Sequence, residues 1–147
     1  MEIIEFKPEF QQSVNEFYDV VMSECGRVFE PEGRHKAITD IIHNFGKCWC
    51  LFDEDVIIGT VAVKPLSDNN CELKMLYLYK RYQHRGLGKA LITTAIDYAK
   101  SCGYSEMRLD TLSTSIDAIG LYQRCGFVPT ERYNENYVAD VFMRLEF

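Results

Sequence analysis

The apolar positions along this chain change period several times, and each change marks an element. Ile3, Ile4 and Phe6 form a short apolar run closed by Pro8, which predicts a first strand. Phe10, Val14, Phe17 and Val21 then recur at helical spacing with acids and amides between them, the stripe of an amphipathic helix. Gly26, Pro31 and Gly33, with the acids Glu30 and Glu32 among them, predict a loop over residues 25–33 that is long enough to overhang a pocket. A weaker helix follows through Ala37, Ile41 and Ile42. From Lys47 the pattern turns alternating or continuously apolar, and residues 48–52, a turn at Asp53 to Asp55 and residues 56–63 read as a hairpin. A third strand is expected over residues 71–79, where Leu73, Met75, Tyr77 and Tyr79 alternate with Glu72, Lys74, Leu76 and Leu78.

The second half returns to helical spacing. Leu87, Leu91, Thr94, Ala95, Tyr98 and Cys102 mark a long helix stopped by Gly103, and residues 107–112 make another strand. A helix between two strands is most simply a parallel crossover. Residues 117–125 form a short helix capped near Ser115 and ended by Gly126, and two last strands are expected over 127–133 and 138–147. The fold class is therefore α/β with a mixed sheet.

Length and composition add bounds. At 147 residues and 47% apolar, the chain suffices for one domain, residues 1–147, with a real core and no second domain. It has no long apolar run and no basic-then-apolar leader, so a cytoplasmic protein without a membrane partner is expected, as a monomer or homodimer. Its cysteines lack the spacing of a disulfide or zinc framework: Cys48 and Cys50 are expected to face opposite sides of a strand, and Cys25, Cys71, Cys102 and Cys125 are scattered. They read as reduced core thiols. His35 and His43 have no spaced partners, so no metal is expected.

Charge points to one stretch. The net charge is −6, yet Lys80, Arg81, Arg85 and Lys89 contribute +4, leaving −10 (−6 minus +4) for the remainder. Such a local patch focuses one anionic ligand and argues against a nucleic-acid surface. Within it, Gly86 and Gly88 open the long helix, where the backbone can bend tightly and free N–H groups meet the positive end of the helix dipole. That is a phosphate site, or else a solvated turn. A nucleotide-hydrolase loop is excluded because the glycines are too close and Ala90 follows Lys89; a dinucleotide fingerprint is excluded because Leu91 stands where its third glycine belongs.

The strand ending in Gln83, then Gly86, Gly88, Ala90 and Leu91, followed later by Ala118, Ile119, Leu121, Tyr122, Cys125, Gly126 and Phe127, resembles the GNAT acetyltransferase superfamily. The order of expected elements also resembles the β-α-α-β-β-β-α-β-α-β-β arrangement of that family. The resemblance implies acetyl-coenzyme A as cofactor and a primary amine, that of a small polar molecule or amino acid, as acceptor. It implies that backbone groups of Met75, Leu76, Tyr77 and Leu78 hold the pantetheine arm. Gln83, His84, Arg85, Gly86, Leu87, Gly88 and Lys89 would hold the pyrophosphate. Tyr122 would be the general acid, and Ser115 stands where many members have an asparagine facing the cofactor.

The reaction also needs a base, because an amine of lysine type with a pKa near ~10.4 is protonated at neutral pH. Glu72, near the start of the cofactor strand as a glutamate is in many members, is the candidate, acting directly or through a water; otherwise it is an exposed strand acid paired with Lys74 or another lysine. A strand N–H near Leu76 would stabilise the oxyanion. The acceptor pocket implied by the resemblance offers Glu30, Glu32, Asp110, Tyr133, Asn134 and Asn136, a set that suits a small cationic amine or amino acid. A peptide N-terminus, a lysine side chain, an antibiotic amine, or a non-catalytic module binding coenzyme A stay open.

Overall fold

Alternation and helical stripe together produce one twisted sheet with helices packed on opposite faces. The computed structural model describes residues 1–147. The strands are β1 (Glu2–Glu5), β2 (Lys47–Asp53), β3 (Val56–Pro65), β4 (Asn70–Leu78), β5 (Glu106–Thr111), β6 (Val128–Pro129) and β7 (Val141–Glu146). They lie in the order β1-β2-β3-β4-β5-β7-β6. All neighbours are antiparallel except β4 and β5, joined in parallel by the crossover helix α3 (Leu87–Ser101). The other helices are α1 (Gln11–Glu24), which follows a 3-10 turn at Pro8–Phe10, α2 (Ile41–Asn44) and α4 (Ile116–Arg124). The weak helical pattern after the first loop is a 3-10 stretch, Lys36–Asp40, running into α2.

Strand alternation assigns the faces. Trp49 of β2 packs edge-on against Tyr98 of α3, with ring centroids 5.2 Å apart. Cys48 and Cys50 flank it and share the opposite face beside Tyr18 of α1, which corrects the expectation that they diverge: residues two apart on a strand point the same way. The hydrogen bond between these two thiols, and then burial, raises the pKa of Cys48 and keeps it protonated. All the cysteines are free. Phe17, Tyr18 and Met22 of α1, Ile58 of β3, Leu91 and Ile92 of α3, and Met107 and Leu109 of β5 form the sealed core.

The regular alternation expected for β4 is interrupted. Thr60 pairs with Tyr77 but Ala62 with Lys74, so Met75 and Leu76 together oppose Val61 in a β-bulge. Met75 takes a left-handed backbone (φ 56°), a state costing about 1–3 kcal/mol for a side chain of this kind. Its carbonyl accepts a hydrogen bond from the Thr60 hydroxyl at 2.6 Å, and Thr60 in turn meets the Tyr18 hydroxyl at 3.0 Å. That buried bracket holds the bulge. Beyond it, Leu78 shares the α3 face with Leu73, while Tyr77 joins Glu72 and Lys74 on the α1 face.

The two last strands are shorter than their sequences predict. Pro129 ends β6, and residues 130–140 leave the sheet before β7 inserts between β5 and β6. The Arg132 guanidinium ties this loop to itself by donating to the carbonyls of Asn136 (2.9 Å) and Ala139 (3.0 Å). Ser115 occupies the N-cap position of α4, but its side chain makes no capping bond.

Candidate active site

The site begins where the central pair of strands comes apart. β4 and β5 are bonded only through Asn70, Cys71 and Glu72 opposite Glu106, Met107 and Arg108, although β4 runs on to Leu78 and β5 to Thr111. The bulge at Met75 bends β4 away, and a cleft of about 760 Å³ opens between the strands. It exposes the edge of β4 from Met75 to Leu78, Asp110 of β5, and Ser115 and Tyr122 at α4.

At one end the cleft meets the glycine loop. The Gln83 side chain donates to the Leu78 carbonyl (3.1 Å), fastening the loop to the end of β4, and the Tyr82 hydroxyl donates to Asp53 (2.6 Å). His84 (φ 61°) and Gly86 (φ 81°) both adopt left-handed backbone, and a Cβ on Gly86 would meet nothing, so this residue faces open space. The first helical bond runs from the Ala90 N–H to the Gly86 carbonyl, and the N–H groups of His84 through Lys89 have no partner within the chain. A concave row of free donors beside exposed Arg85 and Lys89 is an anion cradle. The adjoining cavity, about 280 Å³, is lined by Leu76, Tyr77, Leu78, Gln83, Gly86 and Lys89, with His84, Gly88 and the α4 face opposite. Gly88 serves packing as well: a Cβ there would lie 2.9 Å from Leu121, so replacing it disturbs the α3–α4 contact rather than the loop alone.

Tyr122 stands over the cleft from α4. It is buried against Phe127, yet its hydroxyl has no hydrogen-bond partner in the protein. Burial, and then the proximity of Tyr77 and Asp110, raises its pKa, so it holds its proton at neutral pH.

Glu72 is also buried, not the exposed strand acid of the alternative reading. Its Oε2 accepts from the Tyr133 hydroxyl (2.6 Å) and the Asn134 amide (3.2 Å), and Asn134 also donates to Asp110 (2.6 Å). The Lys74 ammonium lies 3.4 Å from Glu72 and 3.5 Å from Asp110. Burial and the Glu72 carboxylate raise the pKa of Tyr133, which stays a donor to that carboxylate. Two acids, one cation and two neutral donors thus form one network. Asp110 lines the cleft and Glu72 lies behind it.

Of the residues expected to bind acceptor, Asp110 and Asn136 line the cleft, whereas Tyr133 and Asn134 turn inward to Glu72, and Glu30 and Glu32 lie on the exposed loop outside it. Arg85 and Leu87 flank the cofactor-side cavity without lining it. The sequence reading missed Arg27, Arg34, Lys64 and Lys74, which all line the larger cleft. The signal for Arg27 was its place in the glycine-bounded loop expected to overhang a pocket, which Arg34 directly follows.

His35 locks that loop. Its Nδ1 accepts the Glu30 N–H (3.0 Å) and its ring stacks near Phe29 (5.7 Å), which requires the neutral imidazole with its proton on Nε2. Burial, then the Arg34 charge, lowers its pKa below the ordinary 6.5, so the folded loop binds a proton less readily than the unfolded chain. The contribution of the lock is full above pH 6.5 and lost as pH falls through the lowered value. Imidazole nitrogen NMR should show a midpoint below 6.5; a midpoint at or above it would mean that Nδ1 is not held as an acceptor.

Residues 14–127 match the acetyltransferase (GNAT) family. An uncharacterized N-acetyltransferase of Schizosaccharomyces pombe is 42% identical over 91 residues, 60% of this chain and 56% of that protein. The chain spans about half the length of the curated relatives it matches. Among solved structures, a GNAT-family acetyltransferase of Staphylococcus aureus Mu50 superposes with a TM-score of 0.89 at 22% identity, covering 99% of this chain and 98% of that one. One from Elizabethkingia anophelis, solved with acetyl-CoA bound, gives 0.71 at 20% identity, covering 99% and 97%.

Proposed function

Because the chain belongs to the acetyltransferase (GNAT) family, we propose that it moves an acetyl group from acetyl-coenzyme A to a primary amine. The observation that supports this most is the split between β4 and β5, with an anion cradle at one end and, facing the gap, an unpartnered Tyr122 hydroxyl and a buried Glu72–Asp110 network. The cradle fits the cofactor on chemical grounds: free N–H donors, left-handed His84 and Gly86, and the cations Arg85 and Lys89 suit a pyrophosphate. The β4 edge from Met75 to Leu78 would hold the pantetheine arm. When bound, acetyl-coenzyme A supplies an acetyl thioester activated toward amines.

The protein's own groups do the rest. Glu72 receives the ammonium proton through water, with Asp110 as the carboxylate on the cleft side of the same network. The bulge takes Leu76 out of the regular ladder, and a β4 N–H there would stabilise the charge that develops on the acetyl oxygen. Tyr122 holds a proton at its hydroxyl for delivery to sulfur.

Two measurements test this together. Lys89→Glu reverses one exposed charge at the cradle without touching the core, and calorimetry should show acetyl-coenzyme A affinity falling at least about 10-fold with an unchanged melting temperature, the scale of a lost charge-assisted contact. A panel of amines, read by release of free thiol, tests transfer itself. Unchanged affinity would remove the loop as the pyrophosphate site. Binding without thiol release from any amine would leave a coenzyme A-binding module.

A further inference from the structure

The charge on the acceptor side of the cleft is the reverse of what the sequence led us to expect. Asp110 is already compensated by the Lys74 ammonium at 3.5 Å and by the Asn134 amide at 2.6 Å. Across from it, Arg27 and Arg34 have no carboxylate within ion-pair distance, although acids outnumber bases in the chain by 22 to 16. The one polar partner of Arg27 is the neutral Tyr77 hydroxyl, at 3.3 Å, and Arg34 has none.

Both arginines line the same cleft. Arg27 donates to the Tyr77 hydroxyl, and the charges of both arginines oppose the effect of burial on it. The cleft that both arginines line also holds Tyr77, Tyr122 and Asp110. The loop that carries the arginines is built in advance: the Arg27 N–H bonds the Met22 carbonyl (2.8 Å), Gly26 turns with φ 71°, Phe29 packs on Tyr18 (5.8 Å), and His35 bonds the Glu30 N–H. Ile38, Phe45 and Val138 provide apolar wall beside them.

We propose that the acceptor is a carboxylate-bearing amine, an amino acid with an apolar side chain, whose carboxylate is bound by Arg27 and Arg34 while its amine lies toward Asp110 and Tyr122. Guanidinium is the side chain that meets a carboxylate with two parallel hydrogen bonds, and a preformed loop spares the cost of ordering it. A polyamine or a lysine-rich peptide would meet like charge at this mouth. The assignment rests on the acetyl transfer proposed above and names the substrate class for that site.

The test pairs leucine, phenylalanine and methionine with the amines that lack their carboxyl groups. Binding is read by ligand-observed NMR with coenzyme A present, and transfer separately by thiol release with acetyl-coenzyme A. The amino acids should be preferred by roughly 10- to 100-fold in both measurements, the worth of a charge-assisted pair. The preference should collapse toward unity in Arg34→Gln, whose exposed side chain the fold does not use, and in Arg27→Gln, with only partial recovery in Arg27→Lys. Equal use of acids and amines by the parent, binding of neither, or a preference that survives both glutamine variants overturns the proposal. Absence of transfer with an intact binding preference would instead overturn the acetyl-transfer reading and leave the carboxylate site standing.

Discussion

Replacing Glu72 with glutamine is expected to lower turnover about 10²-fold at neutral pH, the lower end of the range for a general base, because water carries the proton part of the way. The deficit should shrink as pH rises toward ~10.4, where the acceptor amine loses its proton in solution. Geometry makes the substitution informative. Glutamine keeps a carbonyl oxygen for the Tyr133 hydroxyl and the Asn134 amide, but its own amide group would then face the Lys74 ammonium, donor against donor. A stability loss of about 1–3 kcal/mol should accompany the kinetic one, so unfolding is measured alongside the rate. An equal loss at every pH would make Glu72 a positioning residue for Asn134 and Asp110. No loss at all would transfer the base role to Asp110, and Asp110→Asn would then show the pH-dependent deficit.

The parts of this molecule that could be read from sequence are those fixed by neighbours close in the chain. Helical stripes placed α1, α3 and α4, and Gly86, Gly103 and Gly126 each adopt the left-handed backbone that ends or begins a helix. Nothing local announces the bulge at Met75, a residue with no preference for that backbone; it is imposed by Thr60 and Tyr18, which are remote in sequence and adjacent in space. The same is true of residues 130–140. Their composition allows a strand, but Tyr133 and Asn134 gain more by reaching Glu72 and Asp110 than by pairing at a sheet edge. Arg27 and Arg34 read as ordinary loop cations until the loop folds over the cleft.

Tyr122→Phe is expected to leave the fold and acetyl-coenzyme A affinity nearly unchanged and to lower turnover on the order of 10²-fold. Its hydroxyl bonds to nothing in the protein, so the usual penalty for orphaning a buried partner does not arise, while the ring keeps its edge-on contact with Phe127 at 5.9 Å. The structural cost is small for that reason, and any kinetic loss reports the proton. Burial has raised the pKa of this tyrosine, which makes it a reluctant acid in isolation but keeps its proton in place at neutral pH. A departing thiolate, resembling a free thiol of pKa near ~8.5, can also leave without help, which keeps the expected loss at the lower end of the general-acid range. A parent-to-variant ratio independent of pH below the tyrosine's pKa is the expected profile, since Tyr122 is protonated throughout. If the variant turns over at the parental rate, the proton comes from water, and the unpartnered hydroxyl over the cleft serves only to shape it.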